Sequence, residues 1–148
     1  MNNPHPLQAI LADTGKAGVY HMPQMDKAPI VAAGKANGYA AIRVNLAKAD
    51  DKNELFAQIA KALKFPDWFG HNLDALADCL GDMSWLPAEG YLVMLEHCDG
   101  IHGKAEADFV SVLQVFQQVA EDWRDQGIAF WCLVEMQSDG IAWLPTGP

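Results

Sequence analysis

Three consecutive runs of sequence decide the fold: YLVMLE at residues 91–96, EADFVSVLQVFQQVAEDWRD at 106–125 and IAFWCLV at 128–134. The first and last runs are almost continuously apolar, as in strands that are covered on both faces. The middle run places Phe109, Val112, Phe116 and Val119 at spacings of three and four, which is typical of an amphipathic helix. A strand, a helix and a second strand predict a parallel pair with a right-handed crossover.

The same alternation of strands and helices continues towards the N-terminus. Residues 39–46 have the pattern of a strand, and residues 19–22 form a shorter β-like run that we expect at an edge of the sheet. A helix capped by Asp50 or Asp51 follows the strand at residues 39–46 and ends at residue 65. Residues 28–37, between the two strands, favour a short helix. We therefore predict an α/β fold, with a parallel sheet of three to four strands and crossover helices in two or three layers.

Composition limits the class of protein. The chain has 148 residues, of which 51% are hydrophobic, enough for one domain with its own core. No apolar run approaches the ~20 residues that a membrane helix needs, and residues 1–6 do not resemble a secretory signal. Three cysteines without such a signal indicate reduced thiols. We expect a cytoplasmic protein that has no membrane partner.

Charge is distributed unevenly. Residues 1–64 carry eight basic and five acidic side chains, whereas residues 65–148 carry two basic and fourteen acidic ones. No Lys or Arg occurs between Lys64 and Lys104. Such a field repels nucleic acid and attracts a cationic partner. Solubility alone is the simpler explanation, because acidic proteins are common.

Residues 72–83 predict a helix with one acidic face. On a helical wheel Asp74, Asp78 and Asp82 lie nearly opposite the apolar face, which consists of Leu73, Leu76, Ala77, Leu80 and Met83. Asn72 is a good N-cap, and we expect Gly70 to supply a left-handed backbone at the helix entry. The i,i+4 acidic pairs repel by about 0.2–0.5 kcal/mol each, a cost that suggests a binding surface. A solvated face beside buried aromatic residues is the alternative interpretation.

The run FPDWFGHNLDALADCL at residues 65–80 resembles the central segment of the barstar family, intracellular inhibitors of the ribonuclease barnase. Residues 111–116 resemble the start of the last long helix in that family. The order of strands and helices also matches. The resemblance implies a single domain over 1–148, with a core at 39–134. Residues 1–38 and 135–148 form an N-terminal extension and a C-terminal tail without family counterparts. We expect the tail to pack back onto the body through Ile141, Trp143 and Leu144.

The resemblance also implies a function and a surface. In this family, carboxylates of the acidic helix occupy the phosphate sites of a basic ribonuclease. Asp78 would be the central contact and Asp74 its neighbour. Gln118 stands where the family has a contacting Glu, and His71 replaces an acidic residue, so the target need not be barnase. The predicted partner-binding residues are Trp68, Phe69, Gly70, His71, Asn72, Asp74, Ala75, Asp78, Asp82 and Gln118.

Two other classes of function are open. A barstar-like adaptor would bind a basic partner that is not a nuclease. A metal-dependent hydrolase would use His71, Asp74 and Asp78, or the group of His97, Cys98, Asp99 and His102, whose spacing fits no standard zinc site. We favour a non-enzymatic ribonuclease inhibitor, of the antitoxin or immunity type, that binds a ribonuclease or ribonuclease-type toxin. We expect a monomer without cofactor or metal.

Overall fold

The computed structural model describes residues 6–22, 26–67 and 69–136 of the chain. These residues form an α/β domain, as predicted. A 3-10 turn at Thr14–Lys16 links its first helix to its first strand. The strands and helices, in chain order, are α1 (Pro6–Ala12), β1 (Val19–His21), α2 (Lys27–Ala36), β2 (Ala40–Asn45), α3 (Lys52–Leu63), α4 (Leu73–Asp82), β3 (Tyr91–Glu96), α5 (Asp99–Lys104), α6 (Glu106–Asp125) and β4 (Phe130–Val134).

The four strands of the described chain form one parallel sheet in the order β1-β4-β3-β2. Val19 pairs with Cys132, and Tyr91 pairs with both Ala40 and Phe130. The parallel α/β prediction is therefore confirmed, and β1 lies at an edge as expected.

Helices cover both faces of this sheet. Val93, Leu95 and Cys132 lie on the face packed by α3, α4 and α6, in the larger core cluster. Leu92, Met94 and Trp131 lie on the opposite face, where Leu11 of α1 and Ile30 of α2 complete a second cluster. This explains why β3 and β4 are buried along their whole length. The N-terminal extension therefore supplies the third layer of the fold.

An ion-pair network holds that layer to the sheet. Lys27 Nζ lies 2.8 Å from Glu96 Oε1 and 2.7 Å from Glu135 Oε2. Arg43 donates to both oxygens of Glu96, at 2.6 and 2.8 Å. The guanidinium of Arg43, helped by Lys27, lowers the pKa of the buried Glu96 carboxyl to about 2. A helix of the extension thus neutralises carboxylates at the carboxyl ends of two central strands.

Two details differ from the sequence prediction. Gly100 and Gly103 predict a loop after β3, but residues 99–104 form the short helix α5, whose fully buried Ile101 offsets the low helix propensity of the two glycines. Helix α1 was not predicted at all. The prediction that the tail packs back onto the body falls on residues 137–148, outside the described residues. No helix in the described ranges is both long and apolar enough to cross a membrane.

Candidate functional site

The loop that leads into α4 is anchored by Phe69. Its side chain is only 9% exposed, and its ring centroid lies 4.9 Å from that of Phe65 and 6.0 Å from that of Phe56. Its N–H donates to the carbonyl of Pro66 at 3.1 Å. Phe69 was predicted to contact a partner, but its ring is part of the core. It therefore supports the loop from beneath, and a direct contact stays a prediction.

The backbone at the helix entry differs from the expectation. His71, not Gly70, has the left-handed conformation, with φ 49°. A Cβ at Gly70 would lie 3.1 Å from the Asn72 side-chain amide, which donates to the Gly70 carbonyl at the same separation. Gly70 thus provides space for a close approach rather than a positive φ. The imidazole of exposed His71 lies 5.2 Å from the Phe69 ring.

Asn72 caps α4 as predicted. Its Oδ1 accepts from the N–H of Ala75 at 2.8 Å, while its backbone is extended. The cap satisfies one of the free donors of the first turn and fixes where the helix begins. Asp74, in that first turn, also gains from the positive end of the helix dipole.

Helix α4 has one buried and one acidic face, as the wheel predicts. Leu76, Cys79 and Leu80 are fully buried. Asp74, Asp78 and Asp82 are exposed, and no ion pair holds any of them within the described ranges. We call these three carboxylates the acidic row. Burial raises the pKa of the Cys79 thiol, and Asp78 and Asp82 raise it further. Cys79 is therefore a packed thiol rather than a reactive one.

A shallow groove lies beside the acidic row, between α4 and α6. It has a volume of about 320 Å³ and contains Leu73, Ala77, Val115 and Gln118 in its lining. Leu73 is 37% exposed, so part of the apolar face of α4 is not covered by the core. The exposed Gln118 donates from its side-chain amide to Asp122 at 3.1 Å. The structure thus brings Gln118 next to α4, although 36 or more positions separate them in sequence.

The carboxyl end of α4 is fixed by α6. The indole N–H of Trp123 donates to the Leu80 carbonyl at 2.9 Å. Met83 follows with a left-handed backbone, and its N–H donates to the Cys79 carbonyl at 3.1 Å. These two bonds satisfy carbonyls of the last turn. Both ends of the acidic row are therefore held by defined contacts.

The predicted surface residues that the structure describes form one contiguous region. Gly70, His71, Asn72, Asp74, Asp78 and Asp82 are exposed, and Ala75 is half-buried. Trp68, one of the two aromatic residues of the prediction, lies outside the described residues. The groove residues Leu73 and Ala77 were missed, because the wheel assigned them to the buried face. Only their position directly before Asp74 and Asp78 in the sequence indicates that they belong to the same surface.

The candidate metal-binding group of the described residues differs from the two groups that the sequence predicts. Within the described part of the chain, the group able to hold an ion is Glu96, His97 and Glu135. Lys27 and Arg43 already occupy these carboxylates and compete with a metal cation. Burial raises the pKa of the Cys98 thiol far above its ordinary value, and that thiol donates to the Leu95 carbonyl. Glu96 and Glu135 thus take part in the ion-pair network, whereas Cys98 is a packed thiol.

Comparison with known proteins gives two matches. A model of the barstar family, described as "Barstar (barnase inhibitor)", matches residues 39–135. A protein of Bacillus subtilis (strain 168), named "Putative ribonuclease inhibitor YrdF", is 39% identical over 64 residues, which span 43% of this chain and 67% of that protein. The family match begins just before β2 and ends just after β4, so α1, β1 and α2 lie outside it.

Proposed function

The chain belongs to the barstar family, and from that premise we propose that it inhibits a basic ribonuclease, or a ribonuclease-type toxin, through the acidic row of α4. The family and the Bacillus relative point to an inhibitor rather than an enzyme. The acidic row enters the active site and places its carboxylates where the phosphates of RNA would bind. Asp78 is the central contact, with Asp74 and Asp82 on either side.

One observation carries this proposal: the acidic row is exposed and unpaired on a helix that is otherwise fixed. Among the described residues, Asp74, Asp78 and Asp82 have no cationic partner that they would lose when a ribonuclease binds. Asn72 and Trp123 hold the two ends of α4, so little conformational entropy is lost on binding. A rigid, unpaired row of anions favours a partner whose own surface is cationic.

The field around the row supports fast encounter. Residues 65–103 contain no Lys or Arg, so the stretch of chain that contains the acidic row carries only acidic charges at neutral pH. Such a region attracts a basic ribonuclease over distances of about a Debye length, and the attraction weakens as salt rises. Burial of carboxylates against Arg or Lys then strengthens the complex, because water is excluded around the pairs.

The target need not be barnase. Gln118 supplies an amide where the family has a carboxylate, and this amide already donates to Asp122. The groove of Leu73 and Ala77 presents an apolar depression beside the row. A ribonuclease with a matching side chain at its rim would use both features. We also propose that the inhibitor acts as a monomer in the cytoplasm.

The experiment titrates the protein into barnase and other small basic ribonucleases and measures RNA hydrolysis at low and moderate salt. Asp78→Ala is expected to weaken inhibition by about 30-fold or more, the loss of a hot-spot residue. Asp26→Ala is the matched control, because Asp26 is exposed, makes no side-chain cap bond and lies far from α4 in sequence. It removes the same charge and is expected to change inhibition by about twofold at most.

Equal inhibition by Asp78→Ala and wild-type protein would refute the mechanism. A second outcome would favour the adaptor. If no ribonuclease is inhibited, and a basic non-nuclease protein binds wild-type protein but not Asp78→Ala, the acidic row recognises a different class of partner.

A further inference from the structure

A second surface, which contains no residue of α4 in its lining, lies at the free edge of β2. This strand is terminal in the sheet. The N–H groups of Ala40 and Leu46 donate to carbonyls of Gly90 and Glu96, on the β3 side. Backbone groups of adjacent strand residues point to opposite sides, so those of Ala41, Arg43 and Asn45 point away from the sheet. No backbone bond from another described residue reaches them.

This free edge lies at the base of a groove. Its lining includes residues 39–43, Lys35 of α2, and Ala62, Lys64 and Leu86. Its volume is about 420 Å³. A second groove of about 370 Å³ begins at Asn45, and Lys48, Gln58 and Lys61 are in its lining. Together they follow β2 from its start to beyond its end. We call them the β2 groove.

The β2 groove is cationic in an otherwise acidic protein. Lys35, Lys48, Lys61 and Lys64 are exposed. None of the four has an ion-pair partner in the described ranges, whereas Lys16, Lys27, Arg43 and Lys104 do. Four unpaired ammonium groups therefore surround a strand edge whose hydrogen-bonding groups are also unpaired. Both features are complementary to the same kind of ligand.

We propose that the β2 groove binds an extended acidic segment of a partner protein, which adds to the sheet as a strand beside β2. The segment's backbone pairs with the outward N–H and C=O groups of Ala41 and Arg43, and its carboxylates meet the lysines. Its alternate side chains contact the half-buried Ile42 and Leu86. This surface is separate from α4 and does not depend on ribonuclease inhibition.

Two other occupants fit less well. A second copy would bring an identical set of lysines to the same edge, and like charges oppose edge-to-edge pairing. RNA offers phosphates to the lysines but has no strand backbone to pair with β2. The net charge of −9 also repels it. The remaining explanation is that the lysines only keep the free edge from aggregating. The peptide experiment distinguishes this role from binding of an acidic segment.

The probe is a capped peptide of about eight residues that alternates Glu and Val, compared with one that alternates Lys and Val. Amide shifts and amide hydrogen exchange of the full chain are followed by NMR. We expect only the Glu peptide to bind and to slow exchange at Ala41, Arg43 and Asn45. Lys35→Glu combined with Lys64→Glu should weaken binding by about tenfold or more. Ala41→Pro, which removes one outward donor without touching the β3 ladder, should also weaken it.

The matched control is Lys52→Glu paired with Lys104→Glu, which changes the same charge without touching the β2 groove and should leave peptide affinity within about twofold. The proposal is overturned if the Glu peptide slows none of the three amides. It is equally overturned if the groove pair and the control pair bind alike, or if protection appears on concentrating the protein without peptide. Protection by an oligonucleotide instead would also overturn it. Ribonuclease inhibition should persist in the groove pair, and peptide binding should persist in Asp78→Ala.

Discussion

The ammonium of Lys27 lies 2.8 Å from one oxygen of Glu96, and so joins a helix outside the family core to the buried end of the central strand β3. The side chain of Glu96 is 6% exposed and that of Lys27 is 23% exposed. Glu135 and Arg43 complete the group. Because this network connects the extension with the core, we expect its loss to destabilise the extension more than the core.

Lys27→Met is expected to lower the free energy of unfolding by about 2 kcal/mol, since charged hydrogen bonds to two carboxylates are lost. Hydrogen exchange should rise mainly in α1, β1 and α2. Lys104→Met is the matched control, because it breaks an exposed pair with Asp50 and should cost less than about 0.5 kcal/mol. Equal costs in urea unfolding would show that the Lys27 network does not fix the extension.

The same network predicts a loss of stability in acid. Arg43, together with Lys27, lowers the pKa of Glu96 from 4.5 to about 2 in the folded protein. A depressed carboxyl pKa stabilises the fold above the unfolded value and loses that effect as pH falls from 4.5 towards about 2. The contribution is on the order of 3 kcal/mol. Urea unfolding across this range should give a shallower pH dependence for Glu96→Gln, and an unchanged slope would contradict the assignment.

Trp123→Phe should loosen the carboxyl end of α4. The variant loses the indole bond to the Leu80 carbonyl and should cost about 1 kcal/mol. Trp85→Phe loses an equivalent bond to the Leu63 carbonyl at the end of α3, and so is matched in chemistry. Both variants should be destabilised, but only Trp123→Phe should speed amide exchange in the last turn of α4. Equal exchange there in the two variants would argue against the tether.

Replacement of Asp82 should have opposite effects on the free energy of unfolding and on ribonuclease binding. It is the last residue of α4, where the helix dipole disfavours an anion, and it repels Asp78 one turn away. Asp82→Lys should raise the free energy of unfolding by about 0.5–1 kcal/mol, with Asp82→Asn between it and wild type. Inhibition of the cognate ribonuclease should fall in the same order. A variant that is both more stable and equally inhibitory would remove Asp82 from the interface.

Much of this fold follows from local patterns. The apolar runs of β3 and β4, the three-and-four spacing in α6 and the cap at Asn72 are short-range signals, and all of them match the structure. The acidic row was predictable for the same reason, because a helical wheel needs only sequence spacing. The sequence indicates Asp50 or Asp51 as the N-cap of α3. In the structure the side chain of Asp51 accepts from the N–H of Glu54.

The features that were missed depend on distant partners. Helix α5 contains two glycines, so its helicity depends on burial of Ile101 rather than on propensity. The pairing of Lys27 with Glu96 joins residues that no local pattern relates. The left-handed backbone was assigned to Gly70 because glycine adopts it most easily, but packing places it at His71.

The parallel pairing of β1 with β4 has a consequence for biosynthesis. β1 leaves the ribosome before β2 and β3, whereas β4, its partner through Val19 and Cys132, is the last of the four described strands to be made. Until β4 emerges, β1 has no strand to join, and Leu11 and Ile30 lack the Trp131 surface on which they pack. A nascent chain that stops before Phe130 should therefore expose these apolar side chains and be a substrate for chaperones. Assembly of the third layer is in this way delayed until β4 has been synthesised.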